Sequence, residues 1–237
     1  MTLIQRLIPT SKYNIKCPYT MSPTRVVIHN TANDASAKNE VAYMSNNDAE
    51  TSFHYAVDDI EAIQAIPENR NAWHAGDGKG KGNRQGIAIE ICYSKSGGAR
   101  FEQAEKNAAQ LTASILARYD WGIDRVTKHQ DYSGKYCPHR TLDMGWNRFL
   151  QMVDKALHVV KSDTTQDVAL AKGSTYHVKL TSYSKPNFTV GNGAVLETFT
   201  GRRAGYEYIF GVRAVGKPGQ STGVYANGVK LFAVTIK

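Results

Sequence analysis

Two histidines and a cysteine are the residues of this sequence best suited to hold a metal. His29 closes the β-branched run Arg25-Val-Val-Ile-His29, and a side chain at a strand end can project into a cleft at the sheet edge. His129 and Cys137 lie in the polar stretch Lys128-His-Gln-Asp-Tyr-Ser-Gly-Lys-Tyr-Cys-Pro138, a loop composition able to fold back on itself. Two imidazoles and one thiolate suit borderline-soft zinc and leave a fourth position for water. By spacing alone, a histidine and a cysteine this close in sequence are more often unrelated than ligands.

Glu90 is the sharper anomaly. In Gly-Ile-Ala-Ile-Glu-Ile-Cys-Tyr, alternation puts Ile87, Ile89 and Ile91 on one face and Ala88, Glu90 and Cys92 on the other. A carboxylate in such a strand is costly to bury unless it is paired or useful. A salt bridge or an exposed sheet face accounts for it as well as a general base working on water beside a metal does. Other polar and aromatic candidates are weaker. His54 shares a strand face with Ala56, which gives it either a cleft position or a packing role. His74 and Trp73, in Asn71-Ala-Trp-His-Ala-Gly76, are candidates to line a substrate groove, with the core as the alternative for Trp73. His139 follows Cys137 too closely to share its metal easily, and Cys17 and Cys92 read as buried thiols.

The elements that must carry these residues alternate in type. Strands are expected at Arg25–His29, Ser52–Val57, Ile60–Ile66 and Ile87–Tyr93. A helix capped by Ser36 should run through about Asn46. A second has the stripe Phe101, Ala104, Ala108, Leu111 and Ile115 within Phe101–Tyr119, and a third spans Trp146–Val160. Gly76–Gly82 reads as a glycine-rich loop too irregular for a phosphate-binding motif. The pattern predicts an α/β domain over residues 1–160, with a mixed central β-sheet flanked by helices. The polar segment 161–173 reads as a linker. Residues 174–237 then read as a small all-β domain, with strands at Tyr176–Leu180, Tyr206–Val215 and Val229–Ile236, a hairpin turn at Asn227-Gly228, and an SH3-like small barrel as one available form.

Bulk properties narrow the partners. With 237 residues, 41% hydrophobic and 21% charged, the chain has the composition of a globular protein. No stretch approaches the roughly 18 apolar residues of a membrane span, and the N-terminus lacks the apolar core of a secretory signal. The net charge of +8 favours acidic partners. Residues 162–237 carry nine Lys and Arg against four Asp and Glu, yet no basic run resembles a nucleic-acid tail. Three cysteines form no disulfide framework.

Five ordered blocks then carry a resemblance. They are Ile28-His29-Asn30-Thr31, Ser52-Phe-His-Tyr-Ala-Val57, Asn71–Gly76, Asn83 before Gly86-Ile-Ala-Ile-Glu90, and His129 with Lys135-Tyr-Cys137-Pro138. Together they resemble the type 2 N-acetylmuramoyl-L-alanine amidases, relatives of the peptidoglycan recognition proteins, and are similar to phage and prophage endolysins of Bacillus-like hosts. The resemblance spans roughly residues 1–158. It implies Zn2+ on His29, His129 and Cys137, Glu90 as the catalytic carboxylate, and Lys135 as the cation near the scissile carbonyl. It further implies cleavage between muramic acid and L-alanine of peptidoglycan, and accumulation in the host cytoplasm before release onto the wall. The tail would then bind the cell wall, its basic balance fitting an anionic secondary polymer. A peptidoglycan-binding protein without activity and a zinc peptidase cutting within the stem peptide are the competing expectations. One departure stands out: some members carry a tyrosine near the metal where this chain has Phe53.

Overall fold

In the computed structural model, which describes residues 1–237, the apolar runs of the first part of the chain become six strands. They are β1 (Thr2–Gln5), β2 (Arg25–Asn30), β3 (Tyr55–Val57), β4 (Glu61–Gln64), β5 (Gly86–Ile91) and β6 (Val126–Lys128). They form one sheet in the order β1-β4-β3-β5-β2-β6. The pairs β3–β5, β5–β2, β2–β6 and β1–β4 are parallel and β3–β4 is antiparallel, so the sheet is mixed as expected. Both faces of its centre are covered: Ile87, Ile89 and Ile91 are fully buried, and so are Ala88 and Cys92 on the opposite face. That double coverage is the usual condition of parallel strands.

Seven α-helices accompany the sheet: α1 (Tyr13–Lys16), α2 (Ala37–Asn46), α3 (Lys81–Gln85), α4 (Gly98–Tyr119), α5 (Gln130–Ser133), α6 (His139–Asp143) and α7 (Trp146–His158). Ser36 caps α2 by accepting the Asn39 N–H at 3.3 Å. The buried side of α4 carries Phe101, Ala104, Ala108, Leu111 and Ile115, the stripe read from its spacing. The glycine-rich segment is a turn followed by α3, since only Gly76–Gly80 stays irregular. No helix is long and apolar enough to cross a membrane.

The chain divides into two compact units, Met1–Ala156 and Leu157–Lys237. The second unit holds two four-stranded sheets. One sheet has the order β11 (Leu196–Ala204), β12 (Glu207–Ala214), β9 (Thr175–Thr181) and β7 (Lys161–Ser162). The other has β10 (Phe188–Val190), β13 (Ser221–Ala226), β14 (Val229–Ile236) and β8 (Val168–Leu170). Inward residues alternate with period two: Val178 and Leu180, Tyr208, Phe210 and Val212, Phe232, Val234 and Ile236 share one core. The segment 161–173 is therefore not a free linker. Lys161–Ser162 pairs with Thr181 and Leu180, and Val168–Leu170 pairs in parallel with Val234–Ile236.

Candidate metal centre and adjoining groove

Three parallel strands deliver the site at their carboxyl ends, where open α/β sheets commonly place ligands. His29 and Glu90 are the penultimate residues of β2 and β5 and stand in register with each other. His129 follows β6 directly and donates its backbone N–H to Ile28 O at 3.3 Å. Cys137 returns on the loop after α5, where Gln130 N–H donates to Cys137 O at 2.9 Å. Asn30 fixes that return: its Oδ1 accepts the N–H groups of Arg140 at 2.9 Å and Thr141 at 3.2 Å. A residue next to His29 thus ties down the segment just beyond Cys137.

His29, His129 and Cys137 are all buried, and one donor atom from each lies within 4.8 Å of the other two. The contacts meet on a single atom. His29 Nδ1 is 3.1 Å from His129 Nδ1, 3.9 Å from Cys137 Sγ and 4.0 Å from Glu90 Oε1. Burial first, and then His74, His129 and Lys135, hold His29 well below the ordinary histidine range. Burial and Lys135 lower His129 as well. Both imidazoles are therefore neutral, the form that ligates a cation. Burial and then Glu90 push the Cys137 thiol up to about 11. A divalent cation among these donors would reverse that balance and favour the thiolate.

Glu90 keeps 18% of its side chain exposed, and its Oε2 is buried without a hydrogen-bond partner. Burial, then the charge of Glu40, raise its carboxyl to about 8, against the pull of Lys135. Beside these residues lies a cavity of about 540 Å³ whose wall includes Glu50, Thr51, Trp73, His74, His129, Ser133 and Lys135. Lys135 is exposed there, on the loop between α5 and Cys137.

These findings separate the groove candidates. Trp73 reaches the cavity wall, held by its indole N–H to Ile15 O at 3.1 Å and by Tyr19 edge-on to its ring. His74 also touches the wall, but its Nδ1 lies 2.9 Å from His29 Nε2, which makes the candidate metal ligand its main neighbour. His54 is corrected to a structural residue. It is fully buried, its Nδ1 accepting from Ala88 N–H and its Nε2 donating to Arg70 O, each at 2.9 Å. No side of its ring is left for a substrate. Phe53 is buried too, with its N–H on Met44 Sδ. Glu50 and Thr51 lie in a stretch without periodicity or motif, and Ser133, although inside Lys128–Pro138, has a residue type that nothing in the sequence singles out.

The family model described as N-acetylmuramoyl-L-alanine amidase matches residues 19–140, about half of the chain. This chain belongs to the N-acetylmuramoyl-L-alanine amidase family. The amidase CwlA of Bacillus subtilis is 50% identical over 190 residues, covering 78% of this chain and 70% of CwlA. XlyB of the same organism is 53% identical over 177 residues, covering 74% of this chain and 56% of XlyB. The solved structure of PlyL is 54% identical with a TM-score of 0.64, covering 65% of this chain and 97% of PlyL. The amidase fold and the enzymatic class expected from the five sequence blocks are thus both present.

Proposed function

We propose that the chain is a zinc-dependent peptidoglycan hydrolase that cuts the amide between N-acetylmuramic acid and the L-alanine of the stem peptide. The observation that carries this reading is the convergence of donor atoms from His29, His129 and Cys137 beside the Glu90 carboxylate. Four-coordinate zinc, with bonds of about 2.0–2.1 Å to nitrogen and about 2.3 Å to sulfur, sets its donors roughly 3.3–3.6 Å apart. From His29 Nδ1 the separations of 3.1 Å and 3.9 Å lie on either side of that range, all three donors fall within 4.8 Å, and the donor set matches the metal's preference. Bound there, zinc supplies a Lewis acid that polarises a carbonyl and acidifies water.

The chain's own residues account for the rest. Glu90, with a proton affinity raised toward neutrality, takes a proton from the attacking water as its oxygen bonds to the lactyl carbonyl carbon. The ammonium of Lys135 stabilises the charge that develops on the carbonyl oxygen. Glu90 returns the proton to the alanine nitrogen as the carbon–nitrogen bond breaks. The groove, walled by Trp73, Glu50 and Thr51, is wide enough to seat part of a glycopeptide. The basic second unit binds the wall through an anionic polymer, and the enzyme lyses the host cell once it reaches peptidoglycan.

The test is wall lysis before and after chelation, with fragment analysis. Loss to chelator, recovery with zinc and new N-terminal alanine on released peptides are expected. New termini deeper in the peptide would make the enzyme a peptidase instead. A folded, zinc-loaded protein that binds walls without cutting them would leave a binding protein.

A further inference from the structure

We infer that His74 is a positioning residue for the metal centre, accepting a hydrogen bond that fixes the ring of His29 with Nδ1 presented to the cation. This rests on the zinc reading above and deepens it. The geometry is one-sided. His129, Cys137 and Glu90 all approach His29 at Nδ1, whereas Nε2 meets only His74 Nδ1, at 2.9 Å. A neutral imidazole that offers Nδ1 to a metal carries its proton on Nε2, so His74 Nδ1 is the acceptor. The rings stand nearly perpendicular, 89° apart with centroids at 4.9 Å. Histidine ligands generally donate their second ring N–H to an acceptor, which sets both tautomer and aim, and here that acceptor is an imidazole nitrogen.

His74 is itself held by α3, which the loop before it steadies in turn. Asn83 Oδ1 accepts the N–H groups of His74 and Ala75, each at 2.8 Å. Asn83 is fixed in turn: its N–H donates to Asp77 Oδ1 at 3.1 Å and its Nδ2 donates to Gly78 O at 3.0 Å. The same segment lies against the second imidazole, the Cβ position of Gly76 being 3.7 Å from His129 Nε2, an ordinary van der Waals distance. The glycine-rich loop is thereby assigned work. It helps to place one acceptor behind His29.

The experiment compares zinc affinity of the full chain, by competition with a chromophoric chelator, for wild type, His74→Leu and His74→Asn. Leucine removes the acceptor and should weaken zinc binding about 10–100-fold. Asparagine places Oδ1 near the position of Nδ1 and should recover most of the loss. Thermal unfolding of the chelated proteins, little changed across the series, would separate this role from a folding defect. Ring-nitrogen NMR of the zinc-loaded wild type should show His29 protonated at Nε2, a readout that holds even if His74→Leu does not fold. Wild-type affinity in folded His74→Leu, an asparagine variant no tighter than leucine, or His29 protonated at Nδ1 would each overturn the inference. Wild type that takes up no zinc would instead remove the zinc reading, and this inference with it.

Discussion

Glu90 and His54 show how differently burial acts on two groups near the candidate metal centre. Burial raises the Glu90 carboxyl to about 8 at the end of β5 and leaves one oxygen unpartnered, so both of its protonation states are accessible near neutral pH, as a group that takes and returns a proton requires. Glu90→Gln keeps the shape and removes the base, so turnover should fall about 10²–10⁴-fold with zinc content unchanged. Lys135→Met should cost about 10²–10³-fold in kcat by removing the charge at the developing oxyanion. Parallel metal analysis and steady-state kinetics check both, and lost zinc in either variant would reassign it to the metal shell. His54 has satisfied nitrogens and a pKa lowered to about 4, mainly by burial. The unfolded chain therefore binds a proton near pH 6.5 that the folded chain refuses until about 4, so stability drops as pH falls through this window. The loss amounts to roughly 3 kcal/mol at the acid end. Urea unfolding between pH 7 and 4 should show a flatter profile for His54→Asn, and an unchanged slope would refute the assignment.

The elements that carry these groups were legible in proportion to their local pattern. The stripe on α4 and the Ser36 cap of α2 repeat within one or two turns, and both were read correctly. β1 and β6 went unread because four and three residues display no period, and their partners lie about 60 and 100 positions away. For the same reason, β7 and β8 looked like a polar linker. The cleft position offered for His54 failed on a related point. Alternation identifies the face a residue occupies, not whether another layer covers that face. Coverage is also what makes Gly86 critical at the start of β5. A Cβ there would stand 2.4 Å from Gly82 O and 2.6 Å from Val27 Cγ2, and the backbone oxygen has nowhere to go. Gly86→Ala should therefore force α3 away from β5 and destabilise the fold by about 1–3 kcal/mol. It should weaken zinc binding as well, because α3 carries Asn83. A variant as stable as wild type by thermal unfolding would show that α3 shifts at no cost.

For the whole molecule, the argument turns on substrate form. Each unit has its own apolar core, the usual condition for independent folding. Residues 162–237 hold a net +5 against +3 for residues 1–161. If the second unit holds the wall, its contribution is effective concentration, worth about 10²–10⁴ on an insoluble polymer and nothing on a soluble one. Truncation after Val160 leaves α7 whole. It should leave kcat/KM on a soluble muramoyl peptide unchanged, while dilute activity on intact walls falls about 10²-fold. Because the attraction is between opposite charges at a solvated surface, raising salt should erode the full chain's advantage and leave the truncated form alone. Equal activity on walls would make the second unit a structural appendage. Loss on both substrates would mean that the first unit requires it to fold, and a salt-independent advantage would move recognition from charge to the exposed aromatic residues, of which Phe199 on β11 is one.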